Sequence, residues 1–166
     1  MKKSYKRKIV ISIKRFISKI VLFFLFKGFV VTYKYDENVR KEIDSLPNGF
    51  TAMIDAGEKN VKLIIQKKDN KIIKLKQAKN ADIEIVFKSL DSAFLMFTGR
   101  LGVSRAYAEH RFTLKGEIAK AMCLVRCIDI VEAYLFPRFI TKNILKYQPN
   151  KNMGLLKTYV LALTIR

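Results

Sequence analysis

Residues 98–116 read TGRLGVSRAYAEHRFTLKG, with two glycines three apart (Gly99 and Gly102), three arginines and the only histidine of the chain. A phosphate cradle needs GxxxxGK followed by Ser or Thr, between a strand and a helix, so that backbone N–H groups and a lysine surround the phosphate. Here GRLGVSR follows a helical pattern and lacks the lysine–hydroxyl ending, which argues against a nucleotide. Acid–base catalysis needs a base beside a nucleophile, or two carboxylates in one pocket. His110 has only Glu109 and Arg111 as chain neighbours, and neighbouring side chains on a strand point to opposite faces. It reads as a surface histidine at a strand entrance. Cys123 and Cys127 share a helix face but lack the CxxC spacing and the further ligands of a metal site, so they read as buried reduced thiols. Arg126, Asp129 and Glu132 recur at helical spacing and read as a solvated, weakly paired face. No catalytic residue, metal ligand or cofactor site emerges, and the expected function is non-enzymatic.

The residues that remain are apolar and basic. Half of the 166 residues are hydrophobic and 11% are aromatic, enough for a packed core, while the formal charge is +19. A chain this basic seeks an anionic partner, either a lipid surface or a nucleic acid. Ten Lys or Arg residues precede the first acid, Asp36. In that arm, Ile9, Ile13, Phe16, Ile17, Ile20, Phe23 and Phe24 share one helical face, and Lys14, Arg15, Ser18 and Lys19 fall on the other. This is the pattern of a helix lying in the lipid interface of an anionic membrane, with Lys14, Arg15, Phe16, Lys19, Ile20 and Phe24 as its contacts. Each cation near an anionic leaflet contributes about 1 kcal/mol. Two rivals stay open. A spanning helix over 16–33 sums to near zero, because each apolar residue supplies roughly −0.3 to −0.6 kcal/mol and a central lysine costs about +2.5 to +3.5. A helix packed on the protein's own core is the other. The interspersed isoleucines and phenylalanines disfavour a nucleic-acid surface, which wants a solvated basic stripe with stacking aromatics; a basic nucleic-acid binder is the alternative function.

Beyond the arm, Val39, Ile43 and Leu46 predict a helix over 36–46 that ends at Pro47–Gly49. Segments 50–56, 60–67, 71–78 and 82–88 alternate apolar and polar residues or are rich in β-branched ones, and turn residues separate them. Short links between successive strands predict an antiparallel meander with one covered face. Ala93, Phe94 and Phe97 then mark a helix that stops at Gly99, and 103–109 adds one or two turns. Phe112 and Leu114 alternate with Arg111, Thr113 and Lys115 in a fifth strand closed by Gly116. A long helix over 117–136 ends at Pro137, and 138–147 and 154–165 read as two more. The class is α+β, a five-stranded, mainly antiparallel sheet with covering helices and an added N-terminal basic amphipathic helix.

The order of motifs in this body is informative. Residues 82–97 (DIEIVFKSLDSAFLMF) form a strand feeding a helix, followed by T-G-R-L, then R-A-Y-A-E, then R-F-T-L-K-G-E-I. Through Phe94, Phe97, Thr98, Gly99, Leu101, Ala106, Tyr107, Phe112, Leu114, Lys115, Gly116 and Glu117, residues 36–136 resemble the sterol carrier protein type 2 domain. His110 departs from the pattern, since many members carry glycine there. The resemblance implies a sheet and helices enclosing an apolar tunnel that holds a sterol, fatty acyl chain or phospholipid without covalent chemistry. Phe87, Phe94, Phe97, Leu101, Phe112, Leu114, Met122 and Val125 would line it. The implied organisation is a membrane-binding arm over 1–35, a lipid-binding domain over 36–148 and a completing C-terminal helix over 149–166. The expected partners are a lipid ligand and an anionic membrane surface, with no specific nucleic acid. The T-I-R ending is unlike a peroxisomal S-K-L address, and the Lys-, Ile- and Asn-rich composition favours the inner face of a bacterial membrane.

Overall fold

In a computed structural model, residues 2–145, 148–149 and 151–165 are described. The elements run α1 (Lys2–Tyr35), α2 (Glu37–Asp44), β1 (Thr51–Asp55), β2 (Lys62–Lys68), β3 (Lys71–Leu75), β4 (Ile83–Phe87), α3 (Leu90–Phe97), α4 (Val103–Ala108), β5 (Phe112–Gly116), α5 (Ile118–Leu135), α6 (Arg138–Ile144) and α7 (Leu155–Thr164). The fold is α+β, with five strands in the order β3-β2-β1-β4-β5. The end of the helix expected over 138–147 falls on residues 146 and 147, which lie outside the described ones.

The sheet is not the simple meander that short links suggested. β1–β2, β2–β3 and β4–β5 pair antiparallel, but β4 pairs in parallel with β1. Residues 76–82 carry the chain from one edge of the sheet past β2 to the far side of β1. Asp82 fixes the arrival: its Oδ2 accepts from the Thr51 amide at 2.7 Å and from Thr51 Oγ1 at 2.8 Å. The Asp82 amide donates back to Thr51 Oγ1. The Thr51 donors outweigh partial burial and hold the Asp82 carboxyl below its ordinary range. At the same end of β4, on its other side, Gly116 of β5 has φ +111, and a Cβ there would lie 2.1 Å from the Asp82 carbonyl oxygen. The Lys-Gly ending of β5 is thus a close backbone approach that only glycine permits.

Register puts Ala52, Ile54, Leu63, Ile65, Ile83, Ile85 and Phe87 on one face, since each is paired with another of that set or with Phe112 and Leu114. That face joins Phe29, Val39, Leu124, Ile128 and Val131 of the helices in one continuous core. α1 belongs to it. Leu22, Leu25, Phe29, Val31 and Tyr33 are buried, so the core runs without a break across residue 35. A Cβ on Gly28 would sit 2.6 Å from Val131 Cγ1, which marks the close crossing of α1 on α5. At the α1–α2 junction the buried Asp36 caps α2 by accepting from the Asn38 and Val39 amides at 3.0 and 3.2 Å. Its other oxygen accepts from Tyr134 Oη at 2.8 Å. No helix among the described residues is long and apolar enough to cross a membrane.

Candidate functional site

The stretch 98–116 turns the chain. α3 ends where Thr98 Oγ1 donates to the Phe94 carbonyl at 2.7 Å, and Gly99 follows with φ +68. Arg105 and Arg111 both donate to Glu109, at 2.8 and 2.6 Å, and Arg111 foremost holds that carboxyl below its usual range. Between them His110 stands at φ 51, the left-handed conformation that glycine takes without cost. Histidine adopts the glycine-like backbone, and its exposed side chain has room to do so.

The aromatic residues beside this turn form a packed cluster. Phe87 meets Phe97 and Phe112 at ring-centroid distances of 5.5 Å each, and Tyr107 lies 5.8 Å from Phe112. Phe87, Phe97, Leu101 and Phe112 are buried, and Leu114 and Val125 are half-buried. Phe94 is half-buried under two cations, with Lys14 Nζ at 5.6 Å and Arg100 at 6.0 Å from its ring. Met122 is exposed, away from the cluster's buried centre. Of these eight, Phe97 borders a described cavity of about 270 Å3. The cavity lies between α1 (Ile20, Val21, Phe24, Leu25), α5 (Glu132, Leu135) and Tyr159 of α7, with Phe136 beside it.

Glu132 is the one carboxyl among the described residues of that wall. Burial, with a smaller push from the Asp129 charge, raises its carboxyl to about 8, and burial raises Asp129 to about 6. The stripe Arg126–Asp129–Glu132 is thus only in part the solvated face that its spacing suggested: Arg126 is exposed, and Asp129 and Glu132 are half-buried. Arg126 leaves it to make a two-pronged ion pair with Glu42 of α2, at 2.6 and 2.7 Å, and the two carboxyls turn into poorly hydrated ground. Spacing could not signal this, because the residues that share a cavity wall with Glu132 come from α1, more than ninety residues away in the chain. Cys123 and Cys127 are buried and free, as expected, and Cys123 Sγ donates to the Glu42 carbonyl.

α1 sorts its residues in an unexpected sense. Lys14 Nζ reaches Asp91 at 2.7 Å, and Arg15 reaches Glu58 at 3.0 Å. Ser18 is fully buried. The polar side of this segment thus faces the body. Ile9, Ile13, Phe16, Ile20 and Phe23, spaced four and three apart, form an exposed stripe, with Phe16 66% exposed. Lys19 is exposed, and Phe24 stacks edge-on against Tyr159 at 5.5 Å. α7 adds Leu156, Val160 and Leu163, at 80%, 60% and 65% exposure. Ile20 belongs to both the stripe and the cavity wall, so the cavity adjoins the exposed apolar surface.

The chain is similar to sterol carrier protein 2. The apo form from Yarrowia lipolytica matches with a TM-score of 0.48 and 14% identity, over 68% of this chain and 89% of that one. A UbiJ-SCP2 ubiquinone synthesis protein matches with a TM-score of 0.46 and 15% identity, over 65% of this chain and 90% of that one. No protein-family model and no curated protein matches the chain.

Proposed function

We propose that the protein is a non-enzymatic lipid-binding module that works docked on an anionic membrane surface. The cavity walled by Phe97, Phe24, Leu135 and Tyr159 takes an acyl or isoprenoid-like chain, which enters past Ile20. The observation that carries this reading is the outward apolar stripe of α1 beside that cavity. In water such a stripe is unfavourable, whereas a bilayer interface covers it and at the same time supplies the lipid. The charge of +19 favours an anionic leaflet as the cover. The strand–helix–TGRL–strand–KGE order over residues 82–117 supports lipid binding from an independent side.

The test is sedimentation with vesicles of phosphatidylglycerol, with the wild type set against Phe16→Asp. Phe16 is exposed, so the substitution leaves the core intact. The wild type should pellet with the vesicles and the variant should stay in solution, and lipid extracted from the natively isolated wild type should be identifiable by mass spectrometry. Equal pelleting of both chains would refute the docking face. Binding to duplex DNA that persists at an ionic strength releasing the vesicles would favour the nucleic-acid alternative instead.

A further inference from the structure

A second pocket, of different character, lies at the root of α7, between the end of α5, the start of α6 and the segment 151–155. It encloses about 490 Å3, within the roughly 300–1,000 Å3 typical of small-molecule sites. Phe136, Met153 and Leu155 give it apolar walls, and Arg138 of α6 and Lys151 bring two cations to it. No acid lines it. Nor does the surrounding chain supply one: from Ala133 to Arg166 the sequence holds six Lys or Arg residues and no Asp or Glu. Burial, with a smaller contribution from the Arg138 charge, lowers the Lys151 ammonium below its ordinary range. A fully solvated lysine escapes such a neighbour by swinging into water. Lys151 is instead half-buried, and the residue after it is fixed, because the Asn152 amide donates to Tyr134 Oη at 2.7 Å.

α7 begins at the same wall. Gly154, its N-cap, offers no side-chain acceptor, and no acid occupies the first turn. The first amides of the helix have no partner within it, and such an end attracts an anion. A Cβ on Gly154 would meet nothing within 4 Å, so the approach to those amides is open. We infer that this pocket binds a phosphate monoester of a small soluble molecule, its phosphate between Arg138, Lys151 and the start of α7 and its organic part against Phe136 and Met153. Two cations without an acid call for a doubly charged group. A phosphate monoester carries roughly −1.5 to −2 at neutral pH, whereas a phosphodiester carries a single charge. The site is separate from the cavity beside Phe97, although Phe136 borders both. That cavity holds the carboxyl of Glu132 and no cation, which keeps a phosphate out of it.

The test is calorimetric titration of the full chain with phenyl phosphate, phenyl sulfate and inorganic phosphate. Phenyl phosphate should bind at least about tenfold more tightly than phenyl sulfate, which has the same shape and one charge. Gly154→Asp gives the amides of α7 an acceptor of their own, in open space. This variant should melt no lower than the parent and yet bind phenyl phosphate at least about tenfold more weakly. The double variant Arg138→Gln, Lys151→Gln should lose the ester too. Its control, Lys71→Gln with Lys74→Gln, removes two exposed cations of β3 and should bind as the wild type does. Equal affinity for the two esters, or an equal loss in the control, would overturn the pocket in favour of general attraction to a chain of charge +19. Inorganic phosphate binding as tightly as phenyl phosphate would overturn the organic part. Displacement of phenyl phosphate by phosphatidic acid vesicles at equal phosphate concentration would overturn the soluble source.

Discussion

Replacing Glu132 with Gln should stabilise the protein, by an amount that grows with pH. Glutamine keeps the shape and removes the ionisation. In the native fold burial holds the carboxyl protonated up to about pH 8, against an ordinary value of 4.5. Between those two pH values the native state holds a proton that the unfolded state has lost. Wild-type stability therefore falls as pH rises through that window and levels off above it. Each pH unit within it corresponds to about 1.4 kcal/mol, so at pH 7 the full difference would be about 3 kcal/mol. Water reaching the carboxyl from the open side of the cavity reduces this, and about 1–3 kcal/mol is expected. Asp129, raised to about 6, adds a decline below pH 6 in both chains, so the quantity to follow is the gap between them. Urea unfolding followed by circular dichroism, from about pH 5 to about pH 9, measures that gap. It should be small at the acid end, widen toward pH 8 and then stay constant. A gap independent of pH, or a glutamine variant less stable throughout, would refute the reasoning and point to a partner that stabilises the carboxylate.

Two further substitutions probe the neighbourhood of the sequence motif. His110→Gly should raise stability by about 1 kcal/mol, because the left-handed backbone at φ 51 costs histidine roughly 1–2 kcal/mol that glycine avoids, with chemical denaturation as the check. Phe112→Ala should cost about 3–5 kcal/mol and leave the lengths of co-purifying acyl chains unchanged, since its ring packs on Phe87 and Tyr107 and borders no described cavity. A mild cost with an altered chain-length profile would instead place Phe112 at the ligand.

Much of the architecture was legible because it is written locally. Alternation in IEIVF gives β4, Ser89 and Gly99 bracket α3, and Pro137 separates α5 from α6. The strand order was not legible. The parallel β1–β4 pair rests on Asp82 meeting Thr51, thirty-one residues apart, and no periodicity within a segment encodes that meeting. The same limit applies to the candidate site. Phe97 was recognisable from its motif, but the cavity beside it is made by Val21, Phe24 and Leu25 of a helix that read as a separate arm. The pocket at the root of α7 was hidden for the same reason. Arg138 and Lys151 are ordinary basic residues until the starts of α6 and α7 are brought together.

α1 shows what periodicity does and does not determine. A repeat of four and three identifies which residues share a face, and it places Ile9, Ile13, Phe16, Ile20 and Phe23 together correctly. It does not say which face the fold will cover. The body covers the opposite one, because Asp91 and Glu58 stand where Lys14 and Arg15 can reach them, and only from about Leu22 onward does α1 bury its apolar residues as an ordinary core helix does. The helix therefore changes character along its length: its C-terminal half packs into the core, and its N-terminal half pairs Lys14 and Arg15 with the body and leaves its apolar stripe exposed. Fully burying an exposed Ile or Phe gains roughly 1.5–3 kcal/mol, and these residues are already partly shielded, so covering the five would return about 5 kcal/mol. Each nearby cation on an anionic leaflet adds about 1 kcal/mol. Those terms are large enough to hold a small domain on a membrane and too small to anchor it permanently. Reversible docking on a bilayer, as proposed, would require that balance.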